Sequence, residues 1–238
     1  MNYSITDIPD SGQNPIVYMD IALNGEILGR IHIRLFREVF PAGVENFIRI
    51  ANGETSRIIE KGGGRYRFNK ETKRTYENCR FFHISHNNYI VSGDIYHNNG
   101  SGAGTIYNDQ PVPADFGEYY YSHENKGLVS LVPFFDSKNA QPYYDSTFMI
   151  TLANATSANK LKLMDKNQIV IGQICKGMEV IDTINKLIRP FAGRNYPKFV
   201  IIHSGIYRNN MMAKKRLLAP NRKKFHNPPK PSNLIDED

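Results

Sequence analysis

The feature that most limits what this chain can fold into is an alternation of apolar and polar residues with a period of two. It recurs over eight separate runs, at 16–23, 27–36, 81–85, 89–95, 128–132, 147–152, 169–174 and 199–207. Successive side chains of an extended strand point to opposite faces, so each run has one face to bury and one to expose. Only two stretches carry helical spacing instead: 41–51, with Val44, Phe47, Ile48 and Ala51 on one face, and 178–188. Pro41 suits the first turn of a helix, where its missing amide hydrogen leaves no bond unmade. Asn24-Gly25 separates the first two runs, and this pair supplies the positive φ angles that a tight hairpin turn needs. Two helices are too few to cover both faces of a parallel sheet. Eight strands with short links are best closed on themselves, which removes exposed edges, with the helices over the ends. The expected fold class is therefore mainly β: a closed eight-stranded antiparallel barrel capped by two α-helices.

Composition shifts mark the boundaries. Residues 15–208 hold all the strand and helix patterns, and within them 54–78, with Gly62-Gly63-Gly64 and many Lys and Arg, and 108–125, rich in Pro and Tyr, are expected as long surface loops, the first an insertion. Residues 1–14 form a polar N-terminal extension that carries Asp7 and Asp10, not the basic-then-apolar pattern of a secretory leader. From Arg208 onward there are eight Lys/Arg against three acidic residues, whereas the body is close to neutral with 22 against 20. Residues 209–238 have few large apolar groups to offset their ordering entropy, so a disordered, solvated tail is expected, with a nucleic-acid arm or nuclear-targeting signal as the alternative. No run approaches the ~18 apolar residues of a membrane span. The two cysteines, Cys79 and Cys175, are too few for a disulfide scaffold and form no C-x-x-C, which fits reduced thiols. An intracellular, cytoplasmic location is expected, with the nucleus or a virion as alternatives. Abundant Asn, Ile, Lys and Tyr fit an AT-rich genome such as that of a protist or a large DNA virus.

Two motifs invite readings that the spacing does not support. Gly100-Ser101-Gly102-Ala103-Gly104 lacks the following Gly-Lys-Ser/Thr of a phosphate loop, and no helix pattern begins there. His83 and His86 lie three apart near the end of a strand pattern, on opposite faces, with no cysteine or acidic partner in a fitting pattern, so no metal site is expected. Other motifs form an ordered set. Leu35-Phe36-Arg37-Glu38-Val39-Phe40-Pro41-Ala42-Gly43-Val44-Glu45-Asn46-Phe47, running to Gly53-Glu54, is followed by Gly93-Asp94, by the glycine-rich stretch from Asn99 to Tyr107, and by Ile171-Gly172 through Gly177-Met178-Glu179-Val180-Ile181. This order resembles the cyclophilin-type peptidyl-prolyl cis-trans isomerases, as a divergent member. The resemblance implies a capped eight-stranded barrel, proline-containing protein segments as partners, isomerase activity and no cofactor.

Rotation about an X-Pro bond must break amide resonance, a barrier of ~18–20 kcal/mol. A catalyst needs an apolar pocket for the ring, an anchor for the flanking backbone, and electrostatic stabilisation of the twisted amide. In the family an arginine gives that last effect. With Gly93-Asp94 as register, Phe81-Phe82-His83 stands where the family has Phe-His-Arg, so His83 replaces the arginine. The family's Phe-Met-x-Gln becomes Asn88-Tyr89-Ile90-Val91, and its backbone-pairing Ala-Asn-Ala becomes Val132-Pro133-Phe134, where Pro133 has no amide hydrogen. Thr147 and Met149 stand for Gln and Phe of the Ser-Gln-Phe-Phe stretch, while the Trp-Leu and His positions become Leu163-Met164 and Gln168. The resemblance thus implies a groove of Phe81, Asn88, Tyr89, Val91, Val132, Pro133, Phe134, Thr147, Met149, Met164 and Gln168 around His83. An imidazole lacks the permanent charge and planar fork of a guanidinium, and losing one preorganised donor costs ~10²–10³ in rate. Four functions follow: a proline-segment binder with weak or lost catalysis; an active isomerase using His83 and Met149 in an unusual way; a homo-oligomer joined by Pro133, Phe134, Phe135, Tyr143 and Tyr144; and nucleic-acid binding through the tail.

Overall fold

The computed structural model describes residues 2–3, 14–59, 69–114, 120–135, 142–156, 161–165, 167–188 and 197–207. Alternation becomes strand where it is strongest. Strand β1 (Ile16–Leu23) buries Val17, Met19 and Ile21, turns at Asn24 (φ 51°) and Gly25 (φ 94°), and returns as β2 (Glu26–Leu35), which buries Ile31, Ile33 and Leu35. Six further strands follow: β3 (His83–Ser85), β4 (Tyr89–Ser92), β5 (Leu128–Leu131), β6 (Phe148–Thr151), β7 (Ile169–Lys176) and β8 (Phe199–Ile206). All eight form one antiparallel sheet in the order β8-β1-β2-β7-β5-β6-β4-β3.

The expected closed barrel needs correction: the sheet is a half-barrel whose ladder does not close, since the edge strands β3 and β8 are not paired with each other. The cause is a change of partner within one run. The Phe81 amide donates to Phe199 O of β8, while the next amide, that of Phe82, donates to Val91 O of β4. The chain therefore crosses from one edge to the other at Phe81-Phe82. On the side of β8 away from β1, the short segment 78–81 lies against it through Asn78 N–H to Ile201 O, Ile201 N–H to Cys79 O and a single bridge between Arg80 and Val200.

Helix α1 (Pro41–Ala51) packs on β1 and β8, helix α3 (Met178–Ile188) packs on β2, and a four-residue helix α2 (Leu161–Met164), absent from the sequence reading, precedes β7. Helix α1 buries Val44, Phe47 and Ile48. Inside the half-barrel the rings of Phe47, Tyr76 and Phe148 meet one another at 4.9–5.3 Å between centroids, tilted or edge to face, and all three are fully buried.

The expected loops also need correction. Within 54–78, Thr55–Ile59 and Asn69–Lys73 pair as antiparallel strands, because a two-stranded ribbon satisfies its own backbone and Thr55, Ile58 and Ile59 favour extended conformation. Gly62-Gly63-Gly64 lies outside the described residues. Within 108–125, Val112–Pro113 joins a three-stranded sheet with Pro142–Tyr144 and Phe134–Phe135, and Tyr120–Tyr121 pairs in parallel with Asn2–Tyr3 of the N-terminal extension. The basic tail, 208–238, lies outside the described residues. Among those described, no helix is long and apolar enough to cross a membrane. Both cysteines are free, and burial, with the Asp94 charge behind it, pushes the Cys79 thiol up to about 12, which makes it inert.

Phe148→Ala removes one corner of the aromatic triangle and is expected to cost about 3–5 kcal/mol of stability, against less than ~1.5 kcal/mol for Phe47→Leu if the smaller side chain repacks. Denaturant unfolding of the two variants measures the contrast.

Candidate functional site

The edge of the sheet sets the site. Across β3, β4, β6 and β5, His83 pairs with Val91, Val91 with Met149, and Met149 with Ser130. At the outer end of this row His83 is exposed and stacks on Tyr89, with ring centroids 5.7 Å apart and planes at 26°. Beside it opens a groove of about 830 Å³ that brings together His83, Tyr89, Val91, Val132, Pro133, Phe134, Thr147 and Gln168 of the residues expected from sequence.

Four expected residues lie elsewhere. Phe81 points into the core at 5% exposure, because the partner switch that sends its amide to β8 turns Phe82 to the groove in its place. Asn88 belongs to the β3–β4 turn, its Nδ2 donating to Ser85 Oγ at 3.0 Å and His86 O at 3.1 Å. Met149 is fully buried between Val91 and Ser130. Met164 lies behind Gln168, whose Nε2 donates to its sulfur at 3.1 Å. Sequence reasoning missed Phe82, Asn99, Gly100, Ser101, Ala103 and Asp145, which also line the groove. The glycine-rich motif after Gly93-Asp94 was the available signal for the loop residues.

That loop is held by one carboxylate. Asp94, fully buried, accepts from the backbone N–H groups of Tyr96, His97, Asn99, Gly100 and Ser101 at 2.7–3.1 Å. Burial alone would raise its pKa, but the amides of His97, Asn99, Gly100 and Tyr96 outweigh it and hold the carboxyl well below the usual range. The residue before it must be glycine: Gly93 has φ of 100°, and a Cβ there would lie 2.1 Å from Ser146 O. Ser146 Oγ in turn donates to Gly93 O at 2.6 Å and accepts from Gly104 N–H at 3.1 Å. Farther along the loop, buried Arg74 grips Asp109 with two hydrogen bonds of 2.8 and 3.1 Å, and Tyr96 OH donates to the same carboxylate.

The opposite wall rests on His123. Its Nδ1 lies 2.7 Å from Asp165 Oδ1, which also accepts the His123 backbone N–H, and its Nε2 lies 2.7 Å from Ser130 Oγ. A hydrogen on Nδ1 directed to the carboxylate leaves Nε2 to accept from the serine hydroxyl. Ser, His and Asp in this order resemble a nucleophilic triad, but Ser130 and His123 are fully buried and no substrate carbonyl can reach Ser130 Oγ. The chain of bonds instead ties β5, which leads into Val132-Pro133, to the turn between Met164 and Gln168. Among the described residues, no group of three or more His, Cys, Asp or Glu is placed to hold a metal ion.

The model of the family "Cyclophilin type peptidyl-prolyl cis-trans isomerase/CLD" matches residues 18–206. The chain belongs to the cyclophilin family. It is 54% identical over 216 residues, covering 91% of this chain and 92% of the relative, to the structural PPIase-like protein of Acanthamoeba polyphaga mimivirus. It is 29% identical over 177 residues, 74% of this chain, to the E3 SUMO-protein ligase RanBP2 of Pan troglodytes, of which that match spans 4%. The crystal structure of the Mimivirus cyclophilin superposes with a TM-score of 0.72 at 52% identity, covering 90% of this chain and 99% of the other. In this cyclophilin the glycine-rich loop and the β3–β4 edge both line the groove.

Because folding holds Asp94 below its ordinary pKa of 3.8, its contribution to stability is present in full above about pH 5 and is lost as the pH falls through about 4 and below. Asp94→Asn keeps the shape but removes the charge, and is expected to cost about 2–3 kcal/mol at pH 7. The deficit against wild type should shrink below about pH 4 in unfolding curves taken from pH 7 to pH 3.

Proposed function

We propose that the groove of this cyclophilin binds proline-containing polypeptide segments and that isomerase catalysis there is weak or lost. The observation that carries the reading is the absence of any Lys or Arg among the described groove-lining residues, with exposed His83 stacked on Tyr89 where the sequence resemblance implies the family's arginine. Tyr89, Val91, Val132 and Phe134 still give a proline ring apolar surface. What is missing is a group that favours the twisted amide over the planar one, and only such a difference lowers the barrier. Backbone docking is impaired too. Val132 N–H is already committed to Thr147 O at 3.1 Å, and Pro133 has no hydrogen to donate. The word "PPIase-like" in the mimivirus relative's name fits this reading.

The test is an isomerase assay on an Ala-Pro peptide beside a reference cyclophilin, together with a binding titration of the same peptide. Binding with a rate at least ~10²-fold below the reference is expected, and His83→Arg should recover less than about tenfold because the missing groups act as one unit. A near-normal rate would favour the alternative, an active isomerase using His83.

A second reading, self-association, rests on Phe134 and Phe135, which are 39% and 53% exposed on the free edge of the three-stranded sheet, with Phe134 stacked on Tyr143 at 6.0 Å. Because Phe134 also lines the groove, a copy bound there would compete with a peptide. Sedimentation at micromolar concentration is expected to show an oligomer that Phe135→Ser weakens; a monomer at all concentrations rejects this reading.

A further inference from the structure

The groove carries a charge that neither the apolar walls nor the family's chemistry requires. Asp145 is the sole carboxylate among its described lining residues, and no Lys or Arg lies among them to offset it. It sits just ahead of β6, where its Oδ1 accepts the Thr147 backbone N–H at 2.7 Å and its main-chain oxygen accepts from Asn46 Nδ2 at 3.3 Å. These bonds fix its position at the groove wall. They do not neutralise it. No ion pair to it is present among the described residues, although other acids of the chain, such as Asp20, Asp109 and Asp182, each have a cation within 3 Å. Burial first and the nearby Asp94 charge second push the Asp145 carboxyl up, against the Thr147 hydrogen bonds that pull it down, as for a partly dehydrated carboxylate with no cation beside it.

A group in this state gains from a ligand that brings a cation and loses from one that brings an anion. Resting on the reading of the groove as a proline-segment site, we propose that Asp145 is a specificity-determining residue that selects proline-containing segments bearing a lysine or arginine within a few residues of the proline. The side chain acts on the ligand's neighbouring residue and not on the isomerising amide, so it sets which segment is held. The same chemistry disfavours acidic proline segments. The chain itself supplies a suitable probe in the Asn227-Pro228-Pro229-Lys230-Pro231 stretch, used as a free synthetic peptide.

The experiment titrates the full chain with fluorescent Ala-Pro host peptides that carry Lys, norleucine or Glu at each of the three positions on either side of the proline, and with the 225–232 peptide and its Lys230→Glu counterpart. At one or two positions Lys is expected to bind about fivefold to tenfold more tightly than norleucine, with Glu weaker still, and the spread should narrow in about 0.5 M salt. In Asp145→Asn, which keeps an oxygen for the Thr147 amide, Lys and norleucine peptides should come within about twofold of each other. Equal binding of all three peptides at every position overturns the proposal, and so does a Lys preference that survives Asp145→Asn. The wild-type comparison decides alone if that variant does not fold. Failure of every peptide to bind overturns the binding reading itself, whereas binding without charge preference overturns only the role of Asp145.

Discussion

A buried carboxylate can persist only if the backbone is bent to meet it, and Asp94 imposes that demand on this molecule. Five amides from five different residues converge on its two oxygens, and this fixes the path of the chain from Tyr96 to Ser101. The same residue reaches two other parts of the structure. Its carbonyl accepts the Cys79 thiol, in the segment that spans the open side of the half-barrel, and its neighbour Gly93 lies against Ser146, at the entry to β6. Loop, spanning segment and strand end therefore meet at Gly93-Asp94, beside the groove that the loop and Asp145 line. Neutralising the Asp94 carboxyl would loosen the 96–101 loop, whereas the other two contacts run through backbone atoms.

The contrast between core and groove explains how a cyclophilin fold can hold with a different site. Ile84 and Ile90 are buried on one face of the β3–β4 hairpin, while His83 and Tyr89 stack on the other. Substitution at exposed positions usually changes stability by no more than ~0.5 kcal/mol, whereas a core truncation costs several. Residues such as Phe47 and Phe148 are thus held by packing, and exposed His83 is not. The Ser130–His123–Asp165 chain belongs with the core in this respect: its geometry would suit catalysis, but its burial makes it a brace between β5 and the turn that carries Gln168.

Much of this was legible in the sequence, for physical reasons that differ from element to element. The strands and the two long helices were, because burial of one face leaves a period in the residues themselves. Asn24-Gly25 announced its hairpin through φ angles that few other pairs tolerate. The open half-barrel was not legible: the step from β8 to β4 between Phe81 and Phe82 is a choice of hydrogen-bond partner, and two adjacent phenylalanines look alike on paper. That one step also exchanged their roles, which is why Phe82 and not Phe81 faces the groove. Met149 and Met164 share a residue type suited equally to core and pocket, and only cross-strand register and the Gln168 bond decide between them. Asp145 was invisible because nothing in a lone aspartate before a serine signals that its neighbours provide no cation.

On the proposed function, binding and catalysis separate at this groove because they require different things of it. On that reading, the apolar walls and the Asp145 carboxylate act on parts of a ligand that stay the same as the X-Pro bond turns, so they stabilise the cis, trans and twisted forms about equally. Uniform stabilisation of this kind lowers a dissociation constant and leaves the barrier where it was. The arginine of the family acts otherwise, on the amide whose electrons move. On the proposed reading, His83 in the arginine's place, with Tyr89, Val91 and Phe134 giving apolar surface, removes the differential part of the interaction and spares the uniform part. In the role proposed for it, Asp145 adds to affinity alone, since a salt bridge to a neighbouring side chain does not distinguish a planar amide from a twisted one. A groove of this composition is suited to holding a chosen segment more than to turning it over.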